Sequence, residues 1–203
     1  MQAEARIAQR LIETVEIGGG DAEGAVAACQ RLLARGVRSL VSFGLAGGLH
    51  PSMRPGALVV PDVVLSHDGH WPTHPPLAAR LGQVGGALYS GGTVLVTATE
   101  KAALFRRTGA AAVDLESAAV AETAARHALP FAVLRAVCDP ASRSLPPAAL
   151  VALGASGQID GKAVLREVVR RPQDLAGLIL LGADAARARR ALQSRVKQIV
   201  AGA

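Results

Sequence analysis

The sequence predicts an α/β fold in which helices cover a mostly parallel or mixed β-sheet. Apolar strand-like runs alternate with amphipathic helical segments over the first two thirds of the 203 residues, which is typical of helix-covered sheets. The run over 37–43 has a nearly continuous apolar end, as expected of a strand covered on both faces. Hydrophobic residues make up 50% of the chain, which is enough for a sizeable core.

Local signals place the elements along the chain. Asp21 is a favourable N-cap and Gly36 a favourable C-cap for the second helix. Helices are predicted over 3–14, 22–35, 102–107, 116–127, 147–153, 159–170, 174–181 and 184–200. Strands are predicted over 15–17, 37–43, 57–60, 63–65, 93–97, 111–113 and 131–138. We expect a polar loop over 66–76 and a single domain over 1–203.

Charge and composition argue against several classes of protein. The net charge is +6, but much of the basic excess lies near the C-terminus and aromatic residues make up only 2%, so no nucleic-acid partner is expected. The basic residues of the last predicted helix indicate a solvated face, with contact to anionic lipid as the alternative; they are Arg187, Arg189, Arg190, Arg195 and Lys197.

No apolar stretch reaches the ~20 residues of a membrane span. We do not expect the first residues to form a signal peptide, because Glu4, Arg6 and Arg10 interrupt the apolar positions. A cytoplasmic protein is therefore expected, with Cys29 and Cys138 as reduced core residues.

Two carboxylates are the first candidate site residues. Asp139 follows the predicted strand over 131–138, and Glu116 begins the predicted helix over 116–127. In an α/β fold both positions fall at the sheet edge where ligands bind. A partly desolvated Asp139 suits a general acid, although Asp-Pro also begins turns. Glu116 can accept hydrogen bonds from a ribose diol, or can simply stabilise the helix N-terminus.

Two glycine-rich segments are expected to form turns beside these carboxylates. Residues 18–20 precede a helix and residues 44–48 follow a strand. Exposed backbone N–H groups at such positions can hold an anion, although plain tight turns are the alternative. Taken with the carboxylates, the turns favour a site that holds a phosphate beside a sugar. The histidines of the 66–76 loop (His67, His70 and His74) are expected to hold no metal.

Three motifs together resemble those of the nucleoside phosphorylase and nucleosidase family, which includes purine nucleoside phosphorylase and methylthioadenosine/S-adenosylhomocysteine nucleosidase. They are residues 43–49 (FGLAGGL), 113–119 (VDLESAA) and 129–139 (LPFAVLRAVCD). The similarity covers roughly residues 3–145. Within the family the chain looks most like the hopanoid-associated phosphorylase, on the basis of residues 3–8 (AEARIA), 18–21 (GGGD) and 139–147 (DPASRSLPP).

The resemblance implies a three-layer α/β/α sandwich around a mixed sheet. In the family a first, central strand precedes the segment that matches Glu4, whereas Met1 stands almost at that point here. Two alternatives are open: the start of the chain is truncated or misassigned, or the sheet is one strand short.

The resemblance also implies roles for named residues. Asp139 matches the acid that protonates the purine leaving group, Glu4 matches the glutamate with which nucleosidases activate water, and Glu116 matches the carboxylate that holds the ribose hydroxyls. The other residues implied at the substrate are Asp114, Leu115, Ala46 and Gly47, and those implied at the phosphate are Gly19, Gly20 and Gly44. No metal and no cofactor are implied, and inorganic phosphate is the expected co-substrate.

The expected activity is cleavage of a purine N-glycosidic bond by a pentosyltransferase, with phosphorolysis of adenosylhopane in hopanoid side-chain biosynthesis as the leading hypothesis. Hydrolysis of methylthioadenosine or S-adenosylhomocysteine is the close alternative. A non-catalytic nucleoside- or lipid-binding relative is the alternative from another class. We expect a homo-oligomer that can contact its lipid substrate at a membrane surface, with Trp71, Leu77 and Leu81 as candidates for an apolar channel.

Overall fold

The computed structural model of the chain describes residues 2–147, 149, 171 and 173–202. Its helices are α1 (Gln2–Ala8), α2 (Ala22–Ala34), α3 (Pro75–Leu81), α4 (Ala98–Thr108), α5 (Ser117–Arg126) and α6 (Asp174–Ala201). Its strands are β1 (Leu40–Gly48), β2 (Leu58–Val59), β3 (Val63–Leu65), β4 (His70–Pro72), β5 (Ala87–Ser90), β6 (Ala112–Asp114) and β7 (Phe131–Asp139). The predicted helices over 147–153 and 159–170 lie outside the described residues, apart from Pro147 and Ala149.

The strands form one mixed sheet in the order β2-β7-β1-β6-β5-β3-β4. β1 runs parallel to β7 from Leu40 opposite Phe131 to Gly47 opposite Asp139. On its other side β1 runs antiparallel to β6, through two residue pairs at the end of the strand. Within the described ranges no strand precedes β1. The predicted mixed sheet is confirmed.

The two faces of the sheet are covered by different helices, because side chains alternate along each strand. On one face, Val133 and Val137 of β7 pack in a core with α2 and α5. On the other, Leu134 and Ala136 pack in a core with α1, α3 and α6. The predicted three-layer α/β/α arrangement is therefore confirmed.

Two predictions about strands and turns were wrong. Residues 44–48 are not a turn but the second half of β1, and Gly44 is extended, with φ at 159°. The predicted strand over 93–97 is instead the approach to α4, because Thr97 and Glu100 form a capping box that starts this helix. The sheet takes Ala87–Ser90 as β5 in its place.

Smaller corrections concern the two ends of the chain and one loop. Residues 15–17 form no strand, and α1 ends at Ala8 rather than at residue 14. The predicted 66–76 loop contains β4 and the start of α3. The two predicted C-terminal helices are one helix, α6, in which Asp184 is 5% exposed and bonds Arg143 and Arg187 instead of capping a helix.

The basic residues of α6 are only partly a solvated face. Arg187 bonds Asp184, Arg189 lies 3.5 Å from Glu4, and the Nε of Arg195 donates to the carbonyl of Leu81 over 2.6 Å. No helix in the described part of the chain is both long enough and apolar enough to cross a membrane.

Asp21 caps α2 as the sequence predicts, and this contact gives a test of the fold. Its Oδ1 accepts a hydrogen bond from the N–H of Gly24 over 2.7 Å. We expect Asp21→Ala to lower the free energy of unfolding by about 1 kcal/mol, because a helix N–H loses its partner. Urea unfolding measures the change, and Asp68→Ala, at an exposed aspartate in the β3–β4 loop, is the control. Equal stabilities of the two variants would contradict the assignment.

Candidate active site

The candidate site lies at the C-terminal end of β1, where three strands meet. Gly47 is paired with Asp139 of β7 on one side and with Val113 of β6 on the other. β6 is antiparallel to β1 and pairs with it only at the end of β1. This short overlap brings the residues that follow β6 close to the end of β7. A cavity of about 430 Å³ opens there and is lined by both Glu116 and Asp139.

Glu116 is held by a buried arginine. The Nη1 and Nη2 of Arg135, on β7, each lie 3.2 Å from the Oε2 of Glu116. The Oε1 of Glu116 accepts a hydrogen bond from the N–H of Gly20 over 3.1 Å. Glu116 occupies the N-cap position of α5 but makes no side-chain capping bond. Its carboxylate is thus directed into the site rather than used to stabilise the helix.

Asp114 is the second carboxylate bonded to Arg135. Its Oδ2 lies 2.7 Å from the Nε of the arginine and also accepts from the hydroxyl of Ser117. Its Oδ1 accepts from the N–H of Ser117 over 3.2 Å, so Asp114 performs the capping that Glu116 does not. The hydroxyl of Ser42 accepts from Arg135 over 2.7 Å and completes a buried polar network.

Asp139 is bonded to a lysine. The ammonium group of Lys101, on α4, forms an ion pair with the Oδ2 of Asp139, and the two side chains are 1% and 8% exposed. The thiol of Cys138 donates to the Oδ1 of Asp139 over 3.4 Å. Both Lys101 and Asp139 line the cavity.

The glycines of the site permit close approach of charged side chains. A Cβ atom on Gly44 would stand 2.5 Å from the Nη1 of Arg135, and one on Gly18 would stand 2.9 Å from the Oε1 of Glu116. A Cβ on Gly47 would stand 3.3 Å from the Oδ1 of Asp139. A side chain at any of these positions would crowd a charged group of the site.

Helices α1 and α6 supply further walls of the cavity. Glu4 of α1 is 3% exposed and faces the cavity together with Arg189 of α6. Next to this pair α6 contributes an apolar wall through Leu178, Leu181 and Ala185. We refer to these three residues as the α6 wall.

Most residues predicted from the sequence line this cavity. They are Glu4, Gly20, Gly44, Ala46, Gly47, Asp114, Leu115, Glu116 and Asp139. Gly19 is the exception; it lies in the preceding turn, with φ at +83°. The predicted channel residues do not line this cavity: Leu77 and Leu81 line an adjoining hollow of about 610 Å³ that shares Glu4 and Glu116 with it, and Trp71 packs against the core.

Two important residues, Lys101 and Arg135, were not predicted. A charged residue within an otherwise apolar strand is a signal that could have identified Arg135. Lys101 carries no comparable signal, because a lysine in an amphipathic helix is normally solvated.

Among the described residues no group of three or more His, Cys, Asp or Glu side chains could hold a metal ion. Of the three loop histidines, His74 has a structural contact: its ring accepts a hydrogen bond from the N–H of Leu77 at the start of α3.

Comparison with known families agrees with this geometry. Residues 9–84 and 78–170 match the sequence model of the family described as the phosphorylase superfamily. The matched ranges cover well over half of the chain. The chain therefore belongs to the phosphorylase superfamily.

One curated relative is a hydrolase by name. The chain is 34% identical to futalosine hydrolase of Streptomyces coelicolor, in a match that covers 50% of this chain and 53% of the relative. The matched part thus spans about half the length of that curated relative.

Solved structures extend the likeness of fold to nearly the whole chain. Methylthioadenosine/S-adenosylhomocysteine nucleosidase from Neisseria meningitidis, in complex with methylthio-immucillin-A, matches with a TM-score of 0.67 and 17% identity over 98% of this chain and 96% of that one. Futalosine hydrolase of Helicobacter pylori matches with a TM-score of 0.60 and 20% identity over 88% and 76%. At these identities the likeness is one of fold.

The Cys138 thiol gives a pH-dependent test of the site. Burial, and then the charge of Asp139, raises the pKa of this thiol above its ordinary value of 9.0. The unfolded chain therefore loses this proton at a lower pH than the folded protein. The stability that the protonated Cys138 thiol contributes is fully present below pH 9.0 and is lost as the pH rises further. We expect the free energy of unfolding to fall from this cause by up to about 1.4 kcal/mol per pH unit.

Urea unfolding at pH values of about 7 to 10 measures that slope. Cys138→Ala should reduce it, whereas Cys29→Ala should leave the Cys138 contribution in place. The pKa of Cys29 is also raised by burial, which makes it the matched control. A slope that Cys138→Ala does not change would contradict the assignment.

Proposed function

We propose that this protein cleaves the N-glycosidic bond of a purine nucleoside, with Asp139 as the general acid and Glu116 as the ligand of the ribose hydroxyls. The observation that carries the proposal is that these two carboxylates, distant in sequence, line one cavity and are each bonded to a buried cation. The family and the names of the matched nucleosidases and hydrolase support the same class of reaction.

The chemistry requires both carboxylates. As the C1′–N9 bond breaks, positive charge develops on the sugar and negative charge on the base. A proton from Asp139 to N7 of the purine neutralises the departing base. Glu116 is fixed by Arg135 and by the N–H of Gly20, so it can accept hydrogen bonds from the ribose hydroxyls without reorganising. Its negative charge favours the developing sugar cation.

Inorganic phosphate is the leading candidate for the nucleophile that attacks C1′. Inorganic phosphate would bind beside Gly19, Gly20 and Gly44, in the role proposed for them, and would attack C1′. It needs placement more than activation, because it is already anionic. No metal or cofactor is required by this scheme.

Water is the second candidate, and two observations favour it. Each basic side chain that lines the described part of the cavity is bonded to a carboxylate: Arg135 to Glu116, Lys101 to Asp139, and Arg189 to Glu4. An incoming anion would compete with those contacts. Glu4 faces the cavity and can take the proton of a water molecule. The relatives named as hydrolases and nucleosidases support this alternative.

The α6 wall supports a substrate with an apolar group on the ribose 5′ carbon. Helix α6 continues from this wall to Leu175, Ile179 and Leu180, which are 47%, 63% and 53% exposed. Helix α6 therefore carries apolar side chains both in the cavity and on the outside of the molecule. Adenosylhopane, in hopanoid side-chain biosynthesis, is the substrate we propose, and methylthioadenosine or S-adenosylhomocysteine are the alternatives for the hydrolytic reaction.

A long apolar substrate would be taken from a membrane surface, which is why we also propose peripheral contact with lipid.

We also propose that the protein is a homo-oligomer. Size-exclusion chromatography with light scattering tests the homo-oligomer, and vesicle flotation tests the lipid contact. A non-catalytic nucleoside- or lipid-binding protein is the outcome if the following assay detects no turnover.

The decisive assay is release of adenine from adenosine, methylthioadenosine and adenosylhopane, with and without phosphate. Asp139→Asn should lower kcat by roughly 10²-fold or more, because the general acid is lost. Asp68→Asn, at an exposed aspartate, is the matched control and should keep full activity. Release that requires phosphate supports phosphorolysis, and release without it supports hydrolysis. Full activity of Asp139→Asn would overturn the catalytic assignment.

A second test concerns the α6 wall. Leu181→Ser should raise the KM for adenosylhopane by roughly tenfold or more, because burial of several methylene groups is lost, and should leave the KM for adenosine nearly unchanged. Val26→Ser is the matched control, because Val26 is 41% exposed on α2 and does not line this cavity. Equal effects on the two substrates would show that the wall does not contact the 5′ group.

A further inference from the structure

Lys101 is a buried cation whose hydrogen-bonding capacity is fully used. Its ammonium group donates to the Oδ2 of Asp139, to the carbonyl of Pro140 over 3.2 Å and to the carbonyl of Arg143 over 2.9 Å. An ammonium group has three donors and no acceptor, so all three are satisfied. Lys101 therefore contacts both the carboxylate and the segment that follows it.

The other groups that face Asp139 are neutral or are directed elsewhere. From β7, the Cys138 thiol bonds Oδ1 and is uncharged, because burial raises its pKa. From β1, Gly47 presents its backbone. In the segment after β7, the guanidinium group of Arg143 bonds Asp184 of α6. Among the described residues Lys101 is thus the charge bonded directly to Asp139.

We propose that Lys101 is the positioning residue of the acid: it orients the carboxyl group through Oδ2 and stabilises the carboxylate that Asp139 becomes when its proton leaves. This inference rests on the proposed function, in which Asp139 is the acid. The O–H bond of Asp139 breaks, its electron pair stays on the carboxyl oxygen, and the proton forms an N–H bond on the base. The electrons of the C1′–N9 bond pass to the base, and C1′ bonds to an oxygen of water or phosphate.

The ion pair acts on the step in which the proton leaves. It stabilises the carboxylate formed at the moment of proton transfer, which raises the rate of the step. Because this stabilisation arises only as the proton leaves, its loss should lower kcat and leave KM nearly unchanged. Asp139 recovers its proton from water after each turnover.

Replacement of the charge tests this role. In Lys101→Met, kcat for adenine release should fall by roughly tenfold or more while KM stays nearly unchanged, because the charge acts on the carboxylate that develops and not on the bound nucleoside. Lys101→Gln keeps hydrogen-bond donors without the charge, and it should show the same loss. Lys197→Met, at an exposed lysine of α6, is the matched control and should leave both constants unchanged.

A residue that only maintains the structure would give a different result. Its loss would change KM as well as kcat, or Lys101→Gln would restore the wild-type kcat. Either outcome would overturn the inference and leave the proposed function intact. If the wild-type enzyme releases adenine from none of the substrates, the proposed function fails and this inference fails with it, so the two failures are distinguishable.

A spectroscopic measurement tests the pairing without activity and without a folded Lys101 variant. The chain has three lysines, Lys101, Lys162 and Lys197, so the spectrum of ¹⁵N-lysine-labelled protein contains few ammonium signals. Lys162→Met and Lys197→Met identify the Lys101 signal by elimination. We expect a slowly exchanging Lys101 ammonium resonance that moves in Asp139→Asn. A resonance that exchanges rapidly or does not move would overturn the inference.

Discussion

The structure of the site depends on the burial of one charged residue in a central strand. Arg135 is 3% exposed on β7, and removing a guanidinium group from water costs several kcal/mol unless it is paired. Asp114 and Glu116 supply the pairing, from the end of β6 and the start of α5. The close approach also requires that Gly44 carry no side chain. The arginine, the two carboxylates and the glycine-rich end of β1 therefore form one interdependent arrangement.

This arrangement determines how charge is distributed in the cavity. Glu116 and Asp139 each lie against a buried cation, so the pocket offers fixed carboxylates without a large local excess of negative charge. An uncharged purine nucleoside suits such a site. The choice between water and phosphate depends on the opposite wall, where Glu4 and Arg189 lie 3.5 Å apart. Glu4 favours activation of water, whereas Arg189, if it left its contact with Glu4, could bind an anion.

The positions of the two carboxylates could be predicted from the sequence, because the signals that place them are local. Asp139 follows a long apolar run, and Glu116 stands where a helical pattern begins, so both could be placed at the sheet edge. Sequence patterns could not reveal Lys101, whose ammonium group reaches a carboxylate 38 residues away. The strand predicted at 93–97 is wrong because a capping box outweighs β-propensity. The turn predicted at 44–48 is wrong because its glycines, which usually indicate a turn, here permit close packing within a strand.

The most direct measurement of the central claim is a crystal structure of the Asp139→Asn variant with adenosine bound. The account predicts the purine N7 within about 2.6–3.2 Å of the residue 139 side chain. It also predicts the ribose hydroxyls at hydrogen-bonding distance from Glu116, with the 5′ carbon facing the α6 wall. Adenosine bound outside this cavity, or bound in it with its ribose away from Glu116, would contradict the account.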